Sequence, residues 1–429
     1  MILHIGIDDT DSSEGMCTTY VGAIIIDRLE KEGIKLIDYP KLIRLNPLWK
    51  HKTRGNCAVS LTLKAEEGQI GKIKKIVLDS IEELAELEIE STNPGAVFYV
   101  GKEIPEKLGD FSRKVVQEVA TIEEAEELAS ETQVETHKFG LGRGIIGGLA
   151  AIGHCLENDF TYELIAYRLK KNWGTQRKID DDSVKKMNTE TYPKTFDNLD
   201  PEAGEIHITP HTPCPILYGI RGENPESVTK AHEMVKAEEP IERTIIYKTN
   251  QGTDEHLQKT KISEAEPYQS VIIEGKVTEE PRTITGGHVI FKIQDETSEA
   301  DCAAYEPTRK FRNIVRKLEI GDKIRVYGGI RNKKNLPLTI NLEKIEILEL
   351  APVKKKINPI CENCGNRMKS AGKNKGYTCK KCKTSLPEKS AEIIEKPREI
   401  ELGIHEVPTR ARRHLAKPLI RVKTKDREY

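Results

Sequence analysis

Residues 6–11 read Gly6-Ile7-Asp8-Asp9-Thr10-Asp11, and what flanks them sets the fold of the N-terminal region. Upstream, Ile2, Leu3, Ile5 and Ile7 make an apolar run of strand length. Downstream, Ser12, Ser13, Glu14 and Gly15 are turn formers. Met16-Cys17-Thr18-Thr19-Tyr20 then opens an apolar run of helical length through Val21, Ala23, Ile24, Ile25 and Leu29, which Gly33 closes. Carboxylates therefore stand where a buried strand ends, and the hydroxyls of Thr18 and Thr19 where the next helix begins. A strand end followed by a helix N-terminus is where α/β sheets hold phosphates. Aspartates this close repel one another unless a cation or donors relieve them. They are hard oxygen ligands of the kind magnesium takes while it also holds nucleotide phosphates. The plainer alternative is an acidic turn that caps a helix.

Working outward, Leu36–Leu45 reads as a strand broken at Pro40, and Cys57, Val59, Leu61 and Leu63 alternate as another. Between them the loop Lys52-Thr53-Arg54-Gly55-Asn56 offers a phosphate two cations and a glycine that lets N–H groups approach. A solvated basic loop is the alternative. Strands alternating with helices through residue 133 give an α/β domain over 1–133. The region 134–260 opens on Phe139–Leu149, whose glycines look like a phosphate fingerprint but follow no strand of the dinucleotide type. Close packing of a small-residue helix is the alternative there. The strands and helices that follow suit a small α+β sandwich.

Residues 268–350 carry five alternating strands with a helix after the third, the order of an OB-fold. Tyr305, Tyr327, Phe291, Arg325 and Arg331 are its candidates for stacking and charge. Then Cys361-x2-Cys364 and Cys379-x2-Cys382 have the spacing of a four-thiolate zinc site, a zinc ribbon over 357–387. Arg367, Lys373, Lys375, Lys380 and Lys381 around it form a footprint for a phosphate backbone. The basic tail 388–429 reads as partly disordered and phosphate-seeking.

The chain has 429 residues, too long for one ordinary core, and its 68 Lys+Arg against 69 Asp+Glu hide a basic C-terminal end. No signal peptide and no membrane-spanning stretch is evident, which points to the cytoplasm. Paired cysteines in such a chain read as metal ligands rather than disulfides.

Gly-Ile-Asp-Asp-Thr-Asp at 6–11, Gly-Met-Cys-Thr-Thr-Tyr at 15–20, Lys-Thr-Arg-Gly-Asn at 52–56 and Gly-Leu-Gly-Arg-Gly at 140–144, ahead of an OB-fold and zinc ribbon, resemble the archaeal agmatidine synthetases over essentially the whole chain. The resemblance implies a multidomain α+β protein: a kinase-like domain, a ferredoxin-like agmatine-binding domain, an OB-fold and a zinc ribbon. It implies an ATP-dependent ligase that replaces the C2 oxygen of the wobble cytidine in the CAU-anticodon isoleucine tRNA with agmatine, so that AUA is decoded. ATP, Mg2+ and Zn2+ follow as cofactors, and tRNA and agmatine as partners. Asp8, Asp9 and Asp11 fit the magnesium role, and Thr10, Lys52, Arg54, Gly55 and Asn56 the ATP phosphates. The resemblance places an autophosphorylated threonine at Thr18. Agmatine carries a guanidinium, for which Asp197 and Asp200, with Gly142 and Arg143, are candidates. The other readings are a non-enzymatic single-strand-binding protein and a different ATP-dependent RNA-modifying phosphotransferase.

Overall fold

Strand β1 (Ile2–Asp8) is covered on both faces, and its alternation decides what each face meets. The computed structural model describes residues 1–52, 55–331 and 337–425. Leu3, Ile5 and Ile7 pack into one core with α1 (Thr18–Lys31). That core also takes β2 (Lys41–Arg44), β3 (Cys57–Lys64) and α2 (Glu67–Leu84). The opposite core is built by β4 (Gly95–Val100), α3 (Glu106–Gln117), α4 (Ile122–Thr132) and α5 (Gly144–Gly153), with the largely exposed β5 (Glu135–Lys138) at the sheet edge. Helix α5 lies across β1 so closely that a Cβ on Gly6 would stand 2.2 Å from the Gly148 carbonyl oxygen. The glycine run thus packs a small-residue helix. Residues 134–153, grouped by sequence with the second region, fold with the first: β5 pairs with β4 and α5 covers β1.

The second body is β6 (Thr161–Arg168), α6 (Asp181–Thr191), β7 (Thr195–Phe196), a hairpin of β8 (Leu199–Asp200) and β9 (Glu205–Ile206), β10 (Ile216–Gly222), α7 (Pro225–Met234) and β11 (Ile241–Thr249). Its strand order, β11-β6-β10-β7, is ferredoxin-like. Strand β11 also pairs in parallel with β2, so a single nine-stranded sheet runs through both bodies.

After β12 (Leu257–Lys259) the chain forms a closed barrel. Its strands are β13 (Ser270–Thr283), β14 (Val289–Gln294), β15 (Glu299–Ala304), β16 (Lys323–Arg331) and β17 (Thr339–Glu349), with α8 (Phe311–Val315) after the third. This is the OB-fold order. A two-stranded stalk, β18 (Val353–Ile357), leaves the barrel and returns as a later strand. At its far end β19 (Lys369–Ser370), β20 (Tyr377–Thr378) and β21 (Ser385–Leu386) form the small ribbon sheet. The return strand is β22 (Glu392–Lys396), paired with β18. Then β23 (Gly403–Glu406) pairs with β17, and the chain ends its described course in α9 (Leu419–Lys425). Among the described residues no helix is long and apolar enough to cross a membrane.

The tail is where sequence and structure part. Residues 403–425 form a folded strap, not a disordered segment. Arg421 is 1% exposed and pairs with Asp159 at 2.9 Å and with Glu223 at 2.5 Å. Arg412 pairs with Asp197 and Glu406. Asp159, Glu223 and Asp197 come from remote segments, so the arginines look solvated when read in sequence alone.

One buried network joins the second body, the barrel and the strap. Glu343 of β17 meets His256 at 3.0 Å and Arg413 at 2.9 Å. Burial pushes the Glu343 carboxyl up, but Arg413, His256 and Lys344 outweigh it and hold it at about 2. Its folded value lies below the unfolded one, so its stabilisation is full above about pH 4.5 and is lost as pH falls through 2. Glu343→Gln should therefore destabilise this junction by about 3 kcal/mol at neutral pH, because it leaves buried cations uncompensated. It should also flatten the acid limb between pH 4.5 and 2 in thermal melts across a pH series.

Candidate active site

The carboxylates sit where β1 meets the start of α1. Asp9 adopts φ 59°, a left-handed turn that Asp tolerates better than most residues. The turn is held from within. Asp11 Oδ1 accepts the Thr18 N–H at 2.6 Å, and the Thr10 hydroxyl donates to the Thr18 hydroxyl at 3.1 Å. Ser12 Oγ accepts the N–H groups of Gly15 and Met16 at 3.0 and 3.2 Å. Cys17 stands at the helix N-cap and offers no side-chain cap, so Asp11 satisfies a donor there. The capping alternative thus holds for Asp11, and it fixes that carboxylate in place.

Helix α5 walls in the other two. A Cβ on Gly147 would stand 1.9 Å from Asp8 Oδ2, and one on Gly144 would stand 2.3 Å from the Asp8 carbonyl oxygen. Burial, then the charge of Asp9, pushes the Asp8 carboxyl well above its ordinary range. Arg143 donates to Asp9 Oδ2 from Nη2 at 2.8 Å and from Nε at 3.1 Å. Burial nevertheless pushes Asp9 up to about 7 against the pull of Arg143. Hard carboxylates this costly to ionise, against a helix whose Gly147 leaves room for Asp8, have the donor chemistry a divalent cation takes, although their oxygens do not converge here as the four cysteine sulfurs of the ribbon do.

Asp8, Asp9, Asp11, Lys52, Asn56 and Arg143 line a pocket of about 70 Å3. A second cavity of about 990 Å3 adjoins it, walled by both bodies, the barrel and the strap. Lys52 lines both, and desolvation, then Arg413 and Arg331, lowers its ammonium pKa. A Cβ on Gly55 would stand 2.4 Å from Arg44 Nη1, so a larger residue there would displace that guanidinium. Asn56 closes its own loop by donating to the Asn46 carbonyl at 2.8 Å. Thr53 and Arg54 lie outside the described residues.

The four residues expected at agmatine are not brought together. Arg143 is on Asp9 in the small pocket, and Gly142 turns the chain before α5 at φ 67°. Asp197 lines the large cavity between Arg221, at 3.6 Å, and Arg412. Asp200 is fully buried, and its Oδ1 accepts the N–H groups of Glu202 and Ala203. Of the expected RNA contacts, Arg331 lines the large cavity, while Arg325 is engaged by Glu274 and Glu346. Arg367 donates to the Asn358 carbonyl, and Lys373, Lys375, Lys380 and Lys381 are exposed on the ribbon.

Sequence reasoning missed the polar floor of the large cavity. Glu163 of β6 lies 3.5 Å from Arg44 Nη2 and 3.6 Å from Arg221 Nε. Arg221 Nη2 lies 2.6 Å from His414 Nδ1. The Arg44 charge, with desolvation, Arg221 and Lys52, lowers the His414 pKa well below its ordinary value. No local motif marks these residues, which come from separate strands and the strap.

Domain models for the TiaS TCKD domain, the TiaS FLD domain and the TiaS C-terminal zinc ribbon domain match residues 4–78, 142–256 and 358–400. An OB-fold nucleic acid binding domain model matches 271–348. The tRNA(Ile2) 2-agmatinylcytidine synthetase TiaS of Archaeoglobus fulgidus is 47% identical over 428 residues, covering 100% of this chain and 99% of the relative. The chain belongs to the TiaS family. The Methanocaldococcus jannaschii TiaS is also 47% identical, over 98% of each chain. Among solved structures, apo TiaS (tRNAIle2 agmatidine synthetase) superposes with TM-score 0.88 at 46% identity, over 98% of each chain. The TiaS-tRNA(Ile2)-ATP complex gives 0.89 at 46% identity, over 98% of this chain and 97% of that one. The TiaS-tRNA(Ile2)-AMPCPP-agmatine complex gives 0.86 at 44%, with the same coverage.

The TiaS zinc ribbon is formed here by Cys361, Cys364, Cys379 and Cys382, whose sulfurs all lie within 4.8 Å of one another. That donor set fits tetrahedral zinc, and the apolar cluster around it is too small to fold unaided. Cys361→Ser or Cys379→Ser should lose the one zinc expected per chain and unfold the ribbon alone. Metal analysis by mass spectrometry, with melts of the remaining bodies, checks both halves.

Proposed function

We propose that this chain uses ATP to replace the C2 oxygen of the wobble cytidine, position 34 of the CAU-anticodon isoleucine tRNA, with agmatine, so that AUA is decoded in the cytoplasm. The observation that carries the reading is the carboxylate pocket adjoining, with Asp11 lining both, a cavity large enough for a nucleotide and walled in part by an OB-fold. The relatives named above, and their complexes with tRNA, nucleotide and agmatine, support it.

The chemistry explains the parts. The C2 carbonyl of cytosine is urea-like and a poor electrophile. An amine displaces its oxygen once that oxygen is phosphorylated and leaves as phosphate. Phosphoryl transfer is positioning plus charge stabilisation. Asp8, Asp9 and Asp11 would hold Mg2+, which when bound would supply neutralisation of the charge that develops on the phosphate oxygens. Thr10 fixes the turn, and Lys52, with Arg54, Gly55 and Asn56, receives the phosphates. Arg143 orients Asp9. Thr18 stands at the start of α1, where the helix dipole favours a phosphate, and is the site of autophosphorylation. Its hydroxyl is fully buried against Thr10, so the turn 10–17 opens for that step. Asp197 faces the agmatine guanidinium from the cavity wall, and Asp200 shapes the neighbouring β8–β9 turn. Arg331 and the ribbon cations Arg367, Lys373, Lys375, Lys380 and Lys381 hold RNA phosphate.

Incubation of the protein with ATP, agmatine and the CAU tRNA, followed by nucleoside mass spectrometry, tests the reading. Agmatidine is expected, and its absence rejects the assignment. Asp8→Ala and Asp9→Ala should each abolish ATP consumption with the fold intact by circular dichroism; normal turnover in both rules out the metal role.

The ribbon is tested separately. Ile357 and Glu392 are directly paired across the stalk, so residues 358–391 can be replaced by an Asn-Gly turn without disturbing the strap. That variant should keep ATP binding, lose tRNA affinity and show a flatter salt dependence in filter binding, because phosphate contacts are gone.

A further inference from the structure

The two cavities share Asp11, Leu45, Trp49, Lys52 and Cys57, and Trp49 is the one large aromatic side chain in that partition. The carboxylate pocket, at about 70 Å3, is far below the roughly 300 Å3 of the smallest ordinary ligand sites, whereas the neighbouring cavity has about 990 Å3. A nucleobase therefore cannot enter among the carboxylates. It has to lie in the large cavity and present its reacting edge at the partition.

Trp49 is built for that place. Its indole is half-buried, and its ring neighbours are His51, at 5.1 Å and 61°, and Tyr268, at 6.0 Å and 69°. Neither contact is a parallel stack, so the neighbours brace the ring without occupying it in the manner a base would. The brace reaches across bodies. Asn46 Nδ2 donates to the Tyr268 carbonyl at 2.9 Å, and its Oδ1 accepts the Leu48 N–H at 2.8 Å. Leu48 in turn rests on Gly329 of the barrel, where a Cβ would stand 2.8 Å from its side chain. Tyr268 is held at φ 70°, a left-handed conformation that bulky residues avoid and that collects where ligands are clamped. Turn and barrel together fix one indole at the boundary between the RNA side and the phosphate side.

We propose that Trp49, braced by His51 and Tyr268, is the platform on which the extruded target cytosine stacks while its C2 edge faces the carboxylate pocket. The proposal rests on the functional reading above and names a positioning residue for it. A base taken out of its helix loses its stacking partners, and an aromatic ring in the enzyme replaces them.

The test uses the full-length protein and a CAU tRNA carrying the fluorescent base pyrrolocytosine at the wobble position, with a non-transferable ATP analogue. Binding to the wild type should quench the base by stacking on the indole. Trp49→Leu, which keeps apolar bulk but no π-face, should abolish the quench and, with the natural tRNA, raise KM about ten-fold or more. Trp49→Phe should restore most of the KM. Wild-type quench and KM in Trp49→Leu overturn the platform, as does a fall in kcat alone that Trp49→Phe leaves unrestored. If the wild type itself makes no agmatidine, the functional reading fails instead.

Discussion

The catalytic end depends on one backbone-to-backbone contact. Helix α5 reaches β1 at a distance that only glycine permits, at Gly6 against Gly148 and at Gly144 and Gly147 against Asp8. A side chain at any of them would lift the helix from the strand or displace a carboxylate. Apolar burial on both faces of β1 supplies the force that holds the helix down. The site spends part of that stability on burying Asp8 and Asp9 in a poorly solvated corner. Burial raises both carboxyls, and this is the state from which a bound cation gains most.

The second constraint is the way the bodies are joined. Strand β11 pairs with β2, so Arg44 at the end of β2 lies beside Glu163 on β6. The large cavity is thus built on a continuous sheet rather than on a hinge. The strap closes the opposite side, with Arg412 on Asp197, Arg413 on Glu343 and the buried Arg421 on Asp159 and Glu223. The zinc ribbon stands outside this arrangement at the end of a two-stranded stalk. The ribbon can therefore be altered without touching the walls of the cavity.

Much of this was legible in the residues. The strand, turn and helix around Asp8–Asp11, the barrel order and the paired cysteines follow from periodicity and spacing, which are local. Periodicity alone reads the second body as a small α+β sandwich, and its ferredoxin-like order came from the family resemblance. The glycine run was ambiguous, because a helix packed on a strand and a phosphate loop use glycine for the same reason, close approach. Arg143 drew notice for its place in that run, and only the fold shows it on Asp9. Glu163, Arg221 and His414 carried no signal, since each acquires its partner from a distant segment. The C-terminal arginines misled for the same reason. A cation in sequence has no visible counter-charge, and burial such as that of Arg421 is a property of the assembled sheet.

The strap also bears on how the protein comes into being. Residues 403–425 leave the ribosome after every other segment that walls the large cavity, and domains fold in order as they emerge. The sheet, the barrel and the carboxylate turn can form first, but the cavity lacks Arg412, Arg413 and His414 until the strap docks. A chain interrupted within or just after the zinc ribbon would carry the carboxylate turn and the ribbon, yet a large cavity without its last wall. Docking of the strap is in this way a late step in assembling the large cavity.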